Sequence, residues 1–399
     1  MKILQLTHKP PFPVKDGGCL AINQFSDTLV SLGIDLHVFS IATPKHPFKK
    51  DAFPKGYIAK NHFQSVFVDT SVNPVDAFVN LITRDTYHVS RFFSADVDMK
   101  LYDLLSRENF DIVLCESIFV APYIKTIRKL CNAKVVLRSH NLEFSIWHRL
   151  AKSQKFGLRK TYLKILTRQL RDYEVDILDQ IDGLIAINPD ELMHYQRLGY
   201  AGNSMTFPFA INTAEYIPEP EPEEVNSVFH LGSMDWKPNV EGVQWFLREV
   251  WPKVRRANKN LTLYLAGRRM PEELLSLKAD GVDVVGEVPD AQDFIKSKNI
   301  MIVPLKTGAG MRVKIIEALA LKKPVVTTPI GANGITVKSG ESAYIANSAR
   351  DFADCVLRLA ADGEAARKMG EKGRELVEDQ YNQCLLSERL SLFFKEITA

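Results

Sequence analysis

Three ionisable side chains crowd one short stretch of this sequence. Arg312 and Lys314 follow the turn Thr307-Gly308-Ala309-Gly310, and Glu317 comes about one helical turn later. Glycines let a backbone come close to a ligand. Cations beside such a turn hold an anion, and a carboxylate accepts hydroxyl protons from a diol. Together they suit a ligand that carries both phosphate and sugar. The plainer reading is a surface strand–helix–strand unit with a salt-bridged helix.

The elements around these residues decide how they are presented. The apolar run IMIVPL, rich in β-branched residues, reads as a strand leading into the turn. A helical pattern from Met311 to Leu321 puts Val313, Ile316, Leu319 and Ala320 on one face, and Lys322-Lys323-Pro324 ends it. A second strand, PVVTTPI, and a second glycine turn, Gly331 to Gly334, follow. Strand, glycine turn and helix start make an anion site, because free N–H groups and the helix dipole face outward there. The N–H groups of Gly310 and Met311 are assigned to that role.

Bulk properties set the class. At 399 residues, 46% apolar and 25% charged, the chain is a globular protein long enough for two domains. A formal charge of +3 gives no footprint for nucleic acid. The five cysteines are scattered without C-x-x-C spacing, which reads as free thiols in a reducing compartment. No run reaches the roughly twenty apolar residues of a membrane span, so the chain reads as cytoplasmic.

Strand-like runs alternate with helical patterns throughout. KILQLT, DLHVFSI, DIVLCES, KVVLRS and GLIAI occupy the first half; SVFHLGS, LTLYLAG, VDVVGEV, NIMIVPL and PVVTTPI the second, with SAYIA as a shorter candidate. Near-continuous apolar strands suit parallel sheets covered on both faces. The stretch 213–227, rich in proline and glutamate, cannot form a core and reads as a linker. The expected fold is α/β: a Rossmann-like domain over 1–212 and another over 228–378, facing a cleft. The segment 379–399 is expected to be a helix that packs back on the first domain.

In open parallel sheets, ligands sit beyond the carboxyl ends of the strands. Those ends carry Gly17-Gly18 in the loop after the first strand, His140 after KVVLRS, Ser233 and Lys237 after SVFHLGS, and Arg268 after LTLYLAG. The Gly-Gly pair does not match G-x-G-x-x-G, which argues against a dinucleotide cofactor.

On these residues the chain resembles glycosyltransferase family 4, whose fold, GT-B, has two facing Rossmann-like domains. Glu317-Ala318 before the PVV strand is similar to that family's donor-binding segment. Many members carry a second glutamate eight positions upstream, implied to contact the donor sugar, while the downstream one contacts the ribose. Here the upstream position is Ala309, which leaves the ribose role to Glu317. By the same resemblance, Gly232-Ser233-Met234-Asp235-Trp236-Lys237-Pro238-Asn239 is the pyrophosphate loop, with Ser233 and Lys237 as donor contacts. Gly17 and Gly18 lie near the donor phosphate or an acceptor oxygen, and Val288 lies at the nucleotide base. The run Ser139-His140-Asn141 with Glu143 resembles the histidine segment of the first domain. It implies that His140 positions the donor sugar.

The implied activity is retaining transfer of a sugar from a UDP- or GDP-sugar to a glycan or lipid-linked acceptor, in cell-surface polysaccharide synthesis. Lys237, Arg268, Arg312 and Lys314 would stabilise the leaving pyrophosphate, so no metal or other cofactor is expected. Asp96-Val97-Asp98 is read as the acids of a helix N-terminal turn and not as a metal site. Tyr87 and Arg91, in an aromatic stretch, are acceptor candidates. The basic helical run 144–176, including Arg149, Lys152, Lys164, Arg168 and Arg171, reads as a solvated face. A second reading is an anionic-lipid contact on the inner face of the membrane, backed by Trp147, Phe156, Tyr162 and Leu163. Two rival functions are a nucleotide-sugar epimerase and a non-catalytic nucleotide-sugar-binding protein.

Overall fold

A computed structural model of the chain describes residues 1–71, 86–154, 157–219, 224–308 and 310–399. Ala309, Lys155 and Phe156 lie outside the described residues, as do 72–85 and 220–223.

The chain forms two compact units, Met1–Pro208 with Ser387–Ala399, and Phe209–Leu386. The first contains strands β1 (Lys2–Thr7), β2 (Asp35–Ala42), β3 (Gln64–Phe67), β4 (Ile112–Glu116), β5 (Lys134–Ser139), β6 (Gly183–Ala186) and β7 (Asn203–Thr206). They make one sheet in the order β3-β2-β1-β4-β5-β6-β7. Every pairing is parallel: β1, for example, pairs Lys2 with Asp35 of β2 and Ile3 with Ile112 of β4. The second unit contains β8 (Glu224–Leu231), β9 (Thr262–Ala266), β10 (Val282–Gly286), β11 (Lys298–Val303), β12 (Val325–Thr327) and β13 (Tyr344–Ile345). Its order, β10-β9-β8-β11-β12-β13, repeats the winding of the first six strands of the other sheet. Both are doubly wound sheets whose strand order reverses beside the first strand.

The apolar runs explain this arrangement. All five residues of β4 are buried, as a strand with helices on both faces requires. The first core joins Leu4, Leu6, Val113, Val135 and Leu184 to helix residues such as Leu101 and Leu170. The second unit packs Val228, Leu263, Ile302 and Val326 against Phe246 and Phe352 on one side of its sheet. Ile315, Leu319 and Val377 lie in its other cluster.

Several boundaries differ from expectation. The unit boundary falls at Pro208/Phe209, ahead of the expected linker. Thr213–Glu215 is a short 3-10 turn held to the second unit, where Arg374 donates to the carbonyls of Thr213 and Tyr216. The linker's end is already strand, with Glu224 of β8 ion-paired to Lys298. The helix expected over Met311–Leu321 runs Val313–Ala320. Pro329–Ala332, part of the expected second strand and glycine turn, is a short helix capped by Thr328. The last helix, Gln383–Thr398, begins in the second unit and belongs to the first from Ser387 onward. There Ile397 and Phe393 sit against Gly183 of β6, a position with no room for a side chain.

Candidate functional site

In each sheet the strand order reverses beside the first strand, so the loops leaving that strand and its new neighbour line a crevice. In the second unit these are the loops after β8 and β11. Gly232 to Trp236 leaves β8 and leads into the helix Lys237–Trp245; Pro304 to Arg312 leaves β11 and leads into Val313–Ala320. The two loops hold each other through Lys314, whose Nζ donates to the Leu231 carbonyl at 3.1 Å and to Asn239 Oδ1 at 3.0 Å. Asn239 in turn donates to the Ser233 carbonyl at 2.7 Å. Gly232 is required here, because a side chain would press against Lys314 and Asn239.

Arg312 is buried, with its guanidinium 5.1 Å from the centre of the Trp236 ring. It donates to the carbonyl of Gly310 and, at 3.5 Å, to that of Ile330, while its Nε has no partner. Neither Arg312 nor Lys314 has a carboxylate within ion-pair distance among the described residues. Burial lowers both pKa values, and in Lys314 the nearby Arg312 adds to the effect, bringing it to about 7. One buried and one half-buried cation with only neutral oxygens for partners among the described residues are costly, and an anion placed beside them would recover that cost.

Glu317 is half-buried and accepts a hydrogen bond from Tyr216 Oη at 3.1 Å. Burial raises its pKa and the Tyr216 bond works against that rise. One oxygen is held by the tyrosine, which presents the carboxylate in a fixed orientation. The turn before the helix is left-handed at Gly308 and Gly310, with φ of 115° and 91°. Because the helix opens at Val313, Gly310 and Met311 lie on its approach, ahead of the first turn.

The remaining residues of the second unit lie further out. Ser233 donates to Asp235 at 2.6 Å, and Asp235 pairs with Arg269 at 3.1 Å. Lys237 is 85% exposed and 3.6 Å from Glu241. Arg268 is also exposed, so neither adds a buried charge. Val288 is half-buried just past β10, where Gly286 has φ of 76°.

In the first unit the reversal lies between β1 and β4, and Glu116 ends β4 there, fully buried. Its carboxylate accepts from Arg138 at 2.8 Å, from His140 Nε2 at 2.5 Å and from Gln5 at 2.8 Å. Arg138 also packs 4.3 Å from the centre of the Phe25 ring. These partners, Arg138 foremost, hold the carboxyl pKa down at about 2 against the opposing effect of burial. The Glu116 backbone carbonyl accepts from His8 Nδ1 at 3.0 Å, and the His8 and His140 rings meet edge to face at 5.8 Å. Gly17 and Gly18 open the helix Gly17–Ser31, whose cap is Asp16. Asp16 binds the Cys19 N–H at 2.9 Å and Lys9 at 2.7 Å, so the protein's own carboxylate occupies the helix start where phosphate was expected.

Two expectations for this unit meet different surroundings, and a third, the helix-start reading of Asp96 and Asp98, agrees with the structure. Tyr87 is buried in the interior, and Arg91 is half-buried, packing 5.5 Å from the Phe92 ring. Trp147 is half-buried and stacks on His88 at 4.1 Å, and Leu163 is buried, so this part of the expected apolar backing packs against the protein itself. Asp96 and Asp98 lie in the first turn of the helix Ala95–Arg107, capped by Ser94.

Glu116, His8, Trp236, Asn239 and Tyr216 were not singled out from the sequence. Glu116 sits inside an apolar strand run, where only its being charged and buried marks it. Trp236 and Asn239 lay within the quoted loop pattern but carried no charge to draw attention.

Comparison with known proteins agrees with this architecture. Residues 225–362 match the family described as Glycosyl transferases group 1. An uncharacterised 44.6 kDa protein in the cps region of Klebsiella pneumoniae is 24% identical over 99% of both chains. The capsular polysaccharide biosynthesis glycosyltransferase CapM of Staphylococcus aureus is 27% identical over 28% of this chain and 30% of its own. Among solved structures, Anabaena Alr3699/HepE in complex with UDP has a TM-score of 0.66 at 12% identity, covering 99% of this chain and all of that one. A glycosyltransferase from Rickettsia africae has a TM-score of 0.63 at 15% identity, covering 99% and 98%. The fold is that of the GT-B glycosyltransferases.

Proposed function

We propose that the protein is a retaining glycosyltransferase that takes its sugar from a nucleotide-diphosphate donor bound in the second unit. The carrying observation is the pair of cations, buried Arg312 and half-buried Lys314, with only neutral oxygens as close partners among the described residues. A diphosphate supplies the missing charge. When the sugar C1–O bond breaks, the departing phosphate oxygen gains negative charge while the sugar becomes oxocarbenium-like. Cations already fixed in a poorly solvated site stabilise that change without reorganising. Lys237 and Arg268, from the rim, contribute long-range attraction, and the reaction as read here uses no metal.

Glu317 is assigned to the ribose hydroxyls, with Tyr216 holding its second oxygen. Ser233, Gly310 and Met311 offer polar and backbone contacts to the phosphates, and Val288 the base. His140 is kept as a substrate-positioning residue of the first unit. UDP is the favoured donor nucleotide because HepE, of the same fold, binds it. The relatives from a cps region and from capsular polysaccharide biosynthesis favour a cell-surface glycan as the acceptor's class.

Titration calorimetry with UDP tests the reading. Lys314→Met removes one charge-assisted contact worth roughly 1.5–3 kcal/mol, so affinity should fall about one to two decades. Unchanged affinity in both Lys314→Met and Arg312→Gln would overturn the assignment.

A further inference from the structure

Glu116 is unusual in making two different bonds to two histidines. Its side chain takes Nε2 of His140 and its backbone carbonyl takes Nδ1 of His8. Neither acceptor can donate. A carboxylate oxygen 2.5 Å from Nε2 requires a proton on that nitrogen, and a carbonyl 3.0 Å from Nδ1 requires one there. Arg138 lies 3.3 Å from the same His140 nitrogen; both donate to one Glu116 oxygen and neither donates to the other.

The opposite nitrogens, His140 Nδ1 and His8 Nε2, have no hydrogen-bond partner among the described residues. Both rings are half-buried. Their surroundings disfavour a second proton. Burial lowers both pKa values; Lys9 acts on both, Arg138 on His140, and each is set against the Glu116 charge. Asp16, the nearest other acid on this loop, is tied to Lys9. Phe92 and Phe119 cover the remaining side of His8.

We propose that Glu116 is a positioning residue that fixes opposite tautomers of His8 and His140, so that two neutral rings present acceptor nitrogens to hydroxyl groups. Such a pair takes hydroxyl protons and repels a carboxylate. The ligand class is therefore a neutral sugar in preference to a uronic acid. That last step rests on the glycosyl-transfer reading; the tautomer assignment does not.

Nitrogen-15 correlation spectra of the histidine side chains of the full chain at neutral pH test both parts. His140 is expected with Nε2 protonated and Nδ1 bare, and His8 with the reverse. In Glu116→Gln the His140 signal should lose its carboxylate-bonded proton shift, while His8 keeps its tautomer because its partner is backbone. His8 thus reports on folding within the same sample. If wild-type His140 carries a proton on Nδ1, as the other tautomer or as imidazolium, the tautomer assignment is wrong, whatever the variant does. Methyl glucoside at millimolar concentration should then shift both signals, and glucuronate should not. Correct tautomers with equal response to both sugars, or to neither, would remove the ligand class and leave the tautomers standing. Loss of UDP binding to the wild type would sink the transferase reading separately.

Discussion

At the residue scale, the second unit's chemistry rests on groups held away from their ordinary ionisation. Lys314 has a pKa of about 7 when folded and near 10.5 when unfolded. Between those values the unfolded chain binds the extra proton, so this group makes stability rise with pH across that window. A bound diphosphate favours the charged amine, so UDP binding just above pH 7 should take up protons. Calorimetry in buffers of different ionisation enthalpy should show this uptake, and Lys314→Met should abolish it. Glu317→Ala should weaken UDP binding about ten- to a hundred-fold, from the roughly 1.5–3 kcal/mol of a charge-assisted bond. Tyr216→Phe removes only the orienting bond, of about 1 kcal/mol, so a loss of about five-fold is expected in the same titration. Arg312, Lys314 and Glu317 were legible because charged residues after a glycine turn stand out. Glu116 and His8 were not, because their pairing joins residues 108 positions apart and only strand order brings them together.

At the element scale, the loops of the second unit are set by close backbone approach. Gly267 has φ of 151°, and a side chain there would overlap the Gly232 carbonyl, at the head of the loop that Lys314 braces. Gly267→Ala should cost roughly 2–4 kcal/mol, seen as a lower unfolding midpoint in denaturant. Most strands could be read from their apolar runs. The exceptions, β3 and β7, are edge strands whose sequences, QSVF and NSMT, have few buried positions and so lack a continuous run. The helical stretch from Lys237–Trp245 to Trp251–Ala257 contains a wide π turn at Phe246–Val250. Pro252, which cannot donate to the carbonyl one turn back, lies two residues past its end and explains it.

At the scale of the whole molecule, two sheets share one winding, and among the described residues no helix is long and apolar enough to cross a membrane. Arg149, Lys152, Lys164, Arg168 and Arg171 are exposed on the helices Glu143–Ser153 and Leu158–Leu178. With Trp147 half-buried and Leu163 buried, these basic side chains supply the main attraction of the two helices to a lipid surface. Sedimentation with anionic vesicles should therefore be lost at high salt, and binding to neutral vesicles should be absent. The first unit also depends on its distant last segment, where Leu390, Phe393, Phe394 and Ile397 are buried. At roughly 1.5–3 kcal/mol for each such side chain, removing 387–399 should cost an amount comparable to the whole stability margin of an ordinary domain. A chain ending at Leu386 should lose the first unit's melting transition, while residues 209–386 keep their own and still bind UDP.

That dependence also sets a clock during synthesis. About 180 residues separate Pro208 from Ser387, and a ribosome adding roughly 5–20 residues per second needs about 10–35 s to make them. Through that interval the nascent first sheet waits with the surface around Gly183 bare. The segment made later, Phe209–Leu386, has its whole body in one piece and can finish first. Birth order and maturation order are thus reversed, and holdase chaperones would be needed mainly by the half translated earlier.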